Sequence, residues 1–431
     1  MNMTLQANPP KKIAIIGGGF AGLAAAKRLI SEDLPNATIT IIDQRNHHLF
    51  QPLLYQVATA GLSPAEIAVP IRSLFRRLDK NLSVLMQRVE SVDLSKKVLK
   101  TTDSEVPFDY LIYACGVRHS YFGQDRWEED APGLKTLEQA TEIRRRVLQA
   151  FEDAEICTSA EEQKKHLTFV IIGGGPTGVE LAGALGEISR FTLSRDFRKI
   201  DSRRTRILLI EAGPRILPSM HPDLSAKAAR DLEELGVTVW TSTRVTNITA
   251  EGVQLGNESV RASTVLWAAG VQPPPLNQKL GATLDPRGRV IVDDHLKIKG
   301  FDYAFAVGDT AFVESHKPEI PGIAPAAIQQ GDYVAKVVAA AIGGKTPPAP
   351  FKYWDKGQMA TIGRTRAVAQ VGPLKMSGLL AYLMWVVIHI YFLIGFKNKT
   401  FVLLQWTWSY FFFRRGARLI VNKEWRQRLD R

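Results

Sequence analysis

A chain of 431 residues with 45% apolar content has material for roughly two to four domains and ample side chains for buried cores. Its two cysteines, Cys115 and Cys157, show no CxxC spacing, which excludes a dithiol redox centre and a cysteine-built metal site and fits a reducing compartment. The net charge of +12 leaves nucleic acid and an anionic membrane as partner classes, and the location of the cations decides between them.

Met1 to Lys12 lack the apolar core of a signal peptide. The apolar run Ile13-Ala14-Ile15-Ile16 predicts a first strand, followed by Gly17-Gly18-Gly19-Phe20-Ala21-Gly22 and an Ala/Leu-rich helical pattern. Strand, glycine turn and helix in that order make a GxGxxG credible as a phosphate loop. Gly17 makes the tight turn, Gly19 lets backbone approach a pyrophosphate, and Gly22 lets helix pack on strand. The helix start then offers free N–H groups and a positive dipole end to the phosphate. Asp43 ends the run Ile39-Thr40-Ile41-Ile42, 21 residues after Gly22, where a carboxylate can hold a ribose hydroxyl. Next, His47 and His48 form a pair without other ligand types nearby, weak grounds for a metal and better suited to lining the loop. The run Leu111 to Gly116 reads as a strand closing on the small-residue turn Ala114-Cys115-Gly116, and residues 121–162 as a charged helical connection.

The same pattern then repeats about 156 residues on. Phe169-Val170-Ile171-Ile172 leads into Gly173-Gly174-Gly175-Pro176-Thr177-Gly178, and Glu211 ends Ile207-Leu208-Leu209-Ile210. The basic stretch from Arg190 to Arg206 delays this acid and is expected to be a loop insertion. A carboxylate at 211 disfavours a 2′-phosphate and argues for NADH over NADPH, with Arg215 a nearby counterweight. Val265 to Gly270 repeats the strand-to-turn ending, and Tyr303 to Asp309 is a strand ending in Gly308-Asp309, suited to the ribityl hydroxyls of a flavin. Two such loops in one chain imply two dinucleotides and electron transfer from one to the other. The expected domains are 1–120 with 277–346, then 121–276, then 347–431.

The tail carries the charge argument. Gly378 to Phe396 is a run of 19 residues whose one strongly polar member is His389, a membrane-span candidate by length. Phe401 to Phe413 is rich in Trp and Phe, and nine Lys/Arg stand against Glu424 and Asp430 from residue 397 onward. Aromatics beside cations suit a headgroup interface. No base-reading or stacking motif supports nucleic acid. The tail is expected to lie on the membrane rather than cross it; a buried dimer helix is the further reading for 378–396.

The pieces GGGFAGL (17–23), FQPLLYQVATAGLSP (50–64), GGGPTGVELAGAL (173–185), WAAGV (267–271), VGDTA (307–311) and YWDKGQMATIGR (353–364), with the tail, resemble the type II NADH dehydrogenases, the non-pumping NADH:quinone oxidoreductases. The resemblance covers nearly the whole chain. It implies an α/β fold of two Rossmann-like dinucleotide-binding domains, as in glutathione reductase, with a membrane-anchoring helical tail. It implies one FAD per chain on Gly17, Gly19, Phe20, Ala21, Gly22, Asp43, Ala114, Gly116, Gly308, Asp309 and Ala324. NADH is implied on Gly173, Gly175, Gly178, Glu211 and Gly270, a membrane quinone as acceptor, a homodimer, and a peripheral place on the cytoplasmic face of the inner membrane. Glu180 and Lys356 are proton candidates and Gln329 a quinone contact; each is also open as, in turn, a carboxylate favoured by the helix dipole, a solvated turn lysine, and a helix-start residue. Many relatives carry Ala-Gln-x-Ala-x-Gln at the quinone site. Here Ala324-Pro325-Ala326-Ala327-Ile328-Gln329 lacks the first Gln, and Gln330 is expected to be turned about 100° away. A sulfide:quinone reductase shares the fold but needs cysteines that this chain lacks after Cys157; a non-catalytic flavoprotein sensor is the other alternative.

Overall fold

The computed structural model describes residues 9–34, 36–75, 81–194, 196–412 and 416–421, and the chain divides into two compact units. The first comprises residues through His48, 69–118 and 271–355; the second comprises 49–68, 119–270 and the chain from 356 onward. Phe413, Arg414, Arg415 and the charged residues beyond Val421 lie outside the described residues.

The first unit is built on a five-stranded parallel sheet in the order Ala304–Ala306, Tyr110–Tyr113, Lys11–Ile16, Ala37–Asp43, Leu82–Met86. Ile13, Ala14, Ile15 and Ile16 are all buried, as expected of a central parallel strand covered on both faces. Ile16 pairs with Ile42 on one side and Tyr113 on the other, so three strands finish level where the first glycine loop begins. The helix Phe20–Ser31 leaves that loop and packs on helix Ala324–Ile342. The contact is backbone to backbone: a side chain at Gly331 would place its Cβ 2.1 Å from the Ala21 carbonyl oxygen. An antiparallel sheet of Val89–Asp93, Val98–Thr101 and Glu105–Pro107 is appended.

The second unit repeats this plan. Its parallel sheet runs Val237–Trp240, Arg206–Ile210, Thr168–Ile172, Thr264–Trp267, and Ile172 pairs with both Ile210 and Trp267. The basic stretch after helix Pro176–Glu187 is a loop between helix and strand, as expected, apart from short turns at Ile188–Thr192 and Ser202–Arg204. The Glu155 carboxylate fastens it, accepting backbone N–H bonds from Arg198, Lys199 and Ile200. The unit also holds helix Leu54–Ala58, the antiparallel strands Gln358–Gly363, Arg366–Val371 and Leu374–Ser377, and two tail helices. Helix Pro176–Glu187 lies directly on strand Gln358–Gly363, because a Cβ at Gly183 would sit 1.7 Å from the Ile362 carbonyl oxygen.

The uninterrupted apolar run expected over 378–396 is not one helix. Gly378–Phe392 is helical for 15 residues, Leu393 turns extended, Gly395 takes φ +91°, and Phe396–Phe412 begins anew. At 1.5 Å per residue the first helix is about 22 Å long, short of the roughly 30 Å of a hydrocarbon core. Among the described residues no helix is long and apolar enough to cross a membrane. Ala381, Trp385 and His389 face inward on this helix, while Leu380, Leu383, Val387 and Tyr391 stay exposed on the other side. On the second helix Phe401, Leu404, Trp408 and Phe411 form a similar exposed apolar row.

Candidate functional site: two glycine loops and a cavity holding a half-buried carboxyl

The two loops are built alike. Gly17 has φ +103° and its N–H donates to the Ile42 carbonyl at 2.8 Å; Gly173 has φ +111° and donates to Ile210 at 2.8 Å. Neither position tolerates a side chain, since a Cβ would meet the Ala114 carbonyl oxygen at 2.4 Å or the Ala268 carbonyl at 2.7 Å. Gly22 and Gly178 lie over the turn, with the Gly17 and Gly173 carbonyl oxygens 1.9 Å and 1.8 Å from where a Cβ would be. Gly19 and Gly175 behave oppositely. Each caps the start of its helix, and among the described residues nothing beyond its chain neighbours and its own helix backbone lies within 4 Å of the Cβ position. That open space over a helix N-terminus fits a pyrophosphate.

The acids at the strand ends are tied to these loops. Gly18 N–H donates to Asp43 Oδ2 at 2.6 Å, and Gly174 N–H to Glu211 Oε2 at 2.6 Å. The second carboxylate oxygen accepts from Arg45 N–H in the first case and Gly213 N–H in the second. Ala114 N–H bonds the Ile16 carbonyl, Gly116 and Gly270 take positive φ, and the two turns close over their loops in the same way. His48 is buried; its Nδ1 pairs with the Gly18 carbonyl at 3.0 Å, Phe20 meets its ring edge-on at 5.0 Å, and burial pushes its pKa down to about 4. A neutral imidazole bracing the loop results, and no metal-binding cluster occurs among the described residues.

In the first unit Gly308 N–H donates to Gln330 Oε1 at 2.6 Å, beside Asp309 and the start of helix Ala324–Ile342, with Pro325 in its first turn. Gln330, set aside in the sequence as turned away, is buried and holds the Gly308-Asp309 turn. Gln329 is occupied otherwise: its Nε2 donates to the Trp354 carbonyl and its Oε1 accepts from Trp354 N–H, both at 3.0 Å. Nothing in the sequence separates these two neighbouring amides; only the helix phase does.

Glu180 lies in a cavity of the second unit, lined also by Tyr55, Gln56, Glu187, Thr361, Arg364, Tyr382, Trp385, Trp406 and Tyr410. Burial pushes its carboxyl up to about 8, against a bond from the Thr361 backbone N–H that favours the charged form. In the cavity wall Trp385 stacks on His389 at 4.2 Å and lies 5.0 Å from Trp406. His389 pairs through Nδ1 with the Trp385 carbonyl and is held neutral by burial, with a pKa near 4. Lys356 is elsewhere: exposed, its Nζ 5.6 Å above the Phe392 ring, and outside the cavity lining. Tyr55, Gln56, Thr361 and Arg364 were missed as site residues although they stand inside two of the motif segments, 50–64 and 353–364. Cys115 carries a thiol that burial pushes up to about 12, far from a reactive thiolate.

The sequence matches the family model for pyridine nucleotide-disulphide oxidoreductases over residues 11–331 and that for the NDH2 C-terminal domain over 355–415. It is 41% identical over 435 residues to the type II NADH:quinone oxidoreductase Ndh of Mycobacterium tuberculosis, covering 97% of this chain and 92% of that protein. The fold is similar to NDH2 of Plasmodium falciparum solved in complex with NADH, with a TM-score of 0.85 at 21% identity over 96% of this chain and all of that one (100%). It is also similar to the sulfide:quinone oxidoreductase of Aquifex aeolicus, at a TM-score of 0.71 and 20% identity over 90% of this chain and 92% of the other. At these identities the two structures speak for the fold alone.

The Glu180 carboxyl has a thermodynamic signature. Its folded-state pKa of about 8 lies above the ordinary 4.5, so the unfolded chain ionises first as pH rises and stability is lost from about pH 4.5 up to about pH 8. Glu180→Gln is expected to melt with the parent at about pH 4 and a few degrees above it at about pH 8. Thermal unfolding followed across that range checks this; melting points with the same pH dependence in both proteins would contradict it.

Proposed function

This chain belongs to the type II NADH:quinone oxidoreductases, and we propose that it binds NADH at its second loop and reduces a membrane quinone in the cavity that holds Glu180. FAD, the family's cofactor, supplies the two-electron chemistry when bound. The residues present fit it: Gly19 leaves the pyrophosphate space open, Asp43 keeps lone pairs for ribose hydroxyls while clamping Gly18, and Asp309 stands at a strand end with Gly308 fixed by Gln330. Ala114, Gly116 and Ala324 complete that site. Gly175 and Gly178 with Gly173 hold the pyrophosphate of NADH, Gly270 closes over it, and Glu211 accepts from the adenosine ribose.

The observation that carries the quinone assignment is a protonated carboxyl in an aromatic-walled cavity. Reduction of a quinone to a quinol takes up two protons as well as two electrons. A carboxyl with a pKa near 8 holds a proton at neutral pH and can give it as the carbonyl oxygen gains charge. Turnover with a short-chain quinone is therefore expected to fall above about pH 8, and Glu180→Gln should lower the rate and remove that alkaline limb. A steady-state pH profile checks it; a limb that survives the substitution assigns the proton to another group. Lys356 and Gln329 retain no role in this scheme.

Glu211 is assigned the choice of nicotinamide. Its substitution loosens the loop for either donor, because Gly174 loses its clamp, so the informative quantity is the ratio of NADPH to NADH efficiency. A charge-assisted bond to the 2′-hydroxyl lost, and a repulsion of the 2′-phosphate relieved, should raise that ratio about tenfold or more in Glu211→Ala. An unchanged ratio in steady-state kinetics would remove Glu211 from the ribose.

The exposed apolar rows on the two tail helices, with the exposed Lys397 alongside, suit a lipid surface entered from one side, so the protein sits on the membrane without crossing it. Such a place puts the tail-walled cavity within reach of a membrane-dissolved quinone, and the cytoplasmic face is the side with NADH. Replacing Leu380, Leu383 and Val387 together by Gln removes about 1.5–3 kcal/mol of burial each and leaves the inward face intact. The variant is expected in the supernatant of a membrane sedimentation assay, still bleached by NADH. Continued sedimentation would deny the lipid contact, and a change from dimer to monomer without release would give the face to a second copy.

A further inference from the structure

The wall of the Glu180 cavity contains a directed chain of hydrogen bonds. The indole Nε1–H of Trp406 donates to Gln56 Oε1 at 2.7 Å. An indole nitrogen can only donate, so this bond fixes which end of the Gln56 amide is oxygen. Gln56 Nε2 then donates to the Tyr55 hydroxyl at 2.9 Å. A phenol that accepts one bond still has its own hydrogen to give, and among the described residues nothing takes it. Tyr55 is 6% exposed and lines the cavity. A buried hydroxyl hydrogen without an acceptor is costly enough that an occupant of the cavity is its natural partner.

We infer that the Tyr55 hydroxyl donates a hydrogen bond to a carbonyl oxygen of the quinone headgroup, held in aim by Gln56 and Trp406. This rests on the assignment of the cavity to the quinone made above. The chemistry asks for such a donor, because each carbonyl oxygen becomes more basic as electrons arrive. Tyr55 keeps its proton throughout: burial and the neighbouring Glu180 hold its phenol well above the ordinary value of 10, so it polarises and orients while Glu180 supplies the proton. Trp406 is a positioning residue, and the tail helix carrying it is fastened further by Gln405 Nε2 to the Gly61 carbonyl at 2.9 Å.

The test uses the full chain loaded with FAD and a short-chain benzoquinone. Tyr55→Phe should lower kcat/KM for the quinone about three- to tenfold, the value of one neutral hydrogen bond, with the rate of NADH bleaching as the control for intact folding. Trp406→Phe, which releases the Gln56 amide, should act in the same direction but less. The double variant should be no worse than Tyr55→Phe, since both changes act through one bond. Parent-level efficiency in Tyr55→Phe, or effects that multiply in the double variant, overturns the inference. A photoreactive azidoquinone separates this failure from that of the cavity assignment. Label on the segments 54–63 or 382–410 together with an unaffected Tyr55→Phe defeats the tyrosine alone, whereas label elsewhere defeats both.

Discussion

A carboxylate that grips a glycine N–H from the end of the neighbouring strand is the constraint on which both glycine loops depend. The bond is 2.6 Å long from Gly18 to Asp43 and again from Gly174 to Glu211. It forms because parallel strands finish level, Ile16 with Ile42 and Ile172 with Ile210, so that each acid falls beside its loop. It also needs bare backbone in the turn, since Cβ atoms at Gly22 and Gly178 would collide with the turn's own carbonyls. Sheet register, glycine placement and acid position are thus one requirement seen from three sides. Its product is a rigid helix start with open space above Gly19 and Gly175.

Backbone contact likewise explains the protonated glutamate. Gly183 lets helix Pro176–Glu187 rest on strand Gln358–Gly363, and Glu180 stands one turn earlier on the same helix face. The strand therefore delivers the Thr361 N–H to the carboxyl while aromatic residues wall the cavity around it. The hydrogen bond favours the anion, burial favours the acid, and burial prevails. An ionisable group kept at such a cost fits a site that handles protons rather than one that only packs.

The loops, their acids and the duplicated sheet plan were legible in the sequence because they obey short-range rules: strand, turn, helix, then an acid after the next strand. The division of labour between Gln329 and Gln330 was not, since it depends on helix phase against a turn 22 residues earlier in the chain than Gln330. The break in the apolar stretch 378–396 was not legible, because hydropathy does not register that Gly395 adopts φ +91° and restarts the helix. Glu180 stood out by its place after the second loop, but Tyr55, Gln56 and Trp406 come from segments hundreds of residues apart, and their meeting is a property of tertiary structure.

The discontinuity of the two units bears on how the chain is made. The first needs residues 271–355 to supply the strand Ala304–Ala306 and the helix Ala324–Ile342, and the second needs the chain beyond 356 for its antiparallel sheet and tail helices. Neither can be completed while the ribosome is still translating the second glycine loop. At about 5–20 residues per second, the first sheet, laid down as far as Tyr113, waits roughly 10–40 seconds for the strand Ala304–Ala306. Because Trp406 belongs to the cavity wall, the cavity of the second unit is finished only when the final helix has been released and has docked. A nascent chain cut short in the tail would then carry both glycine loops without the finished wall of the Glu180 cavity.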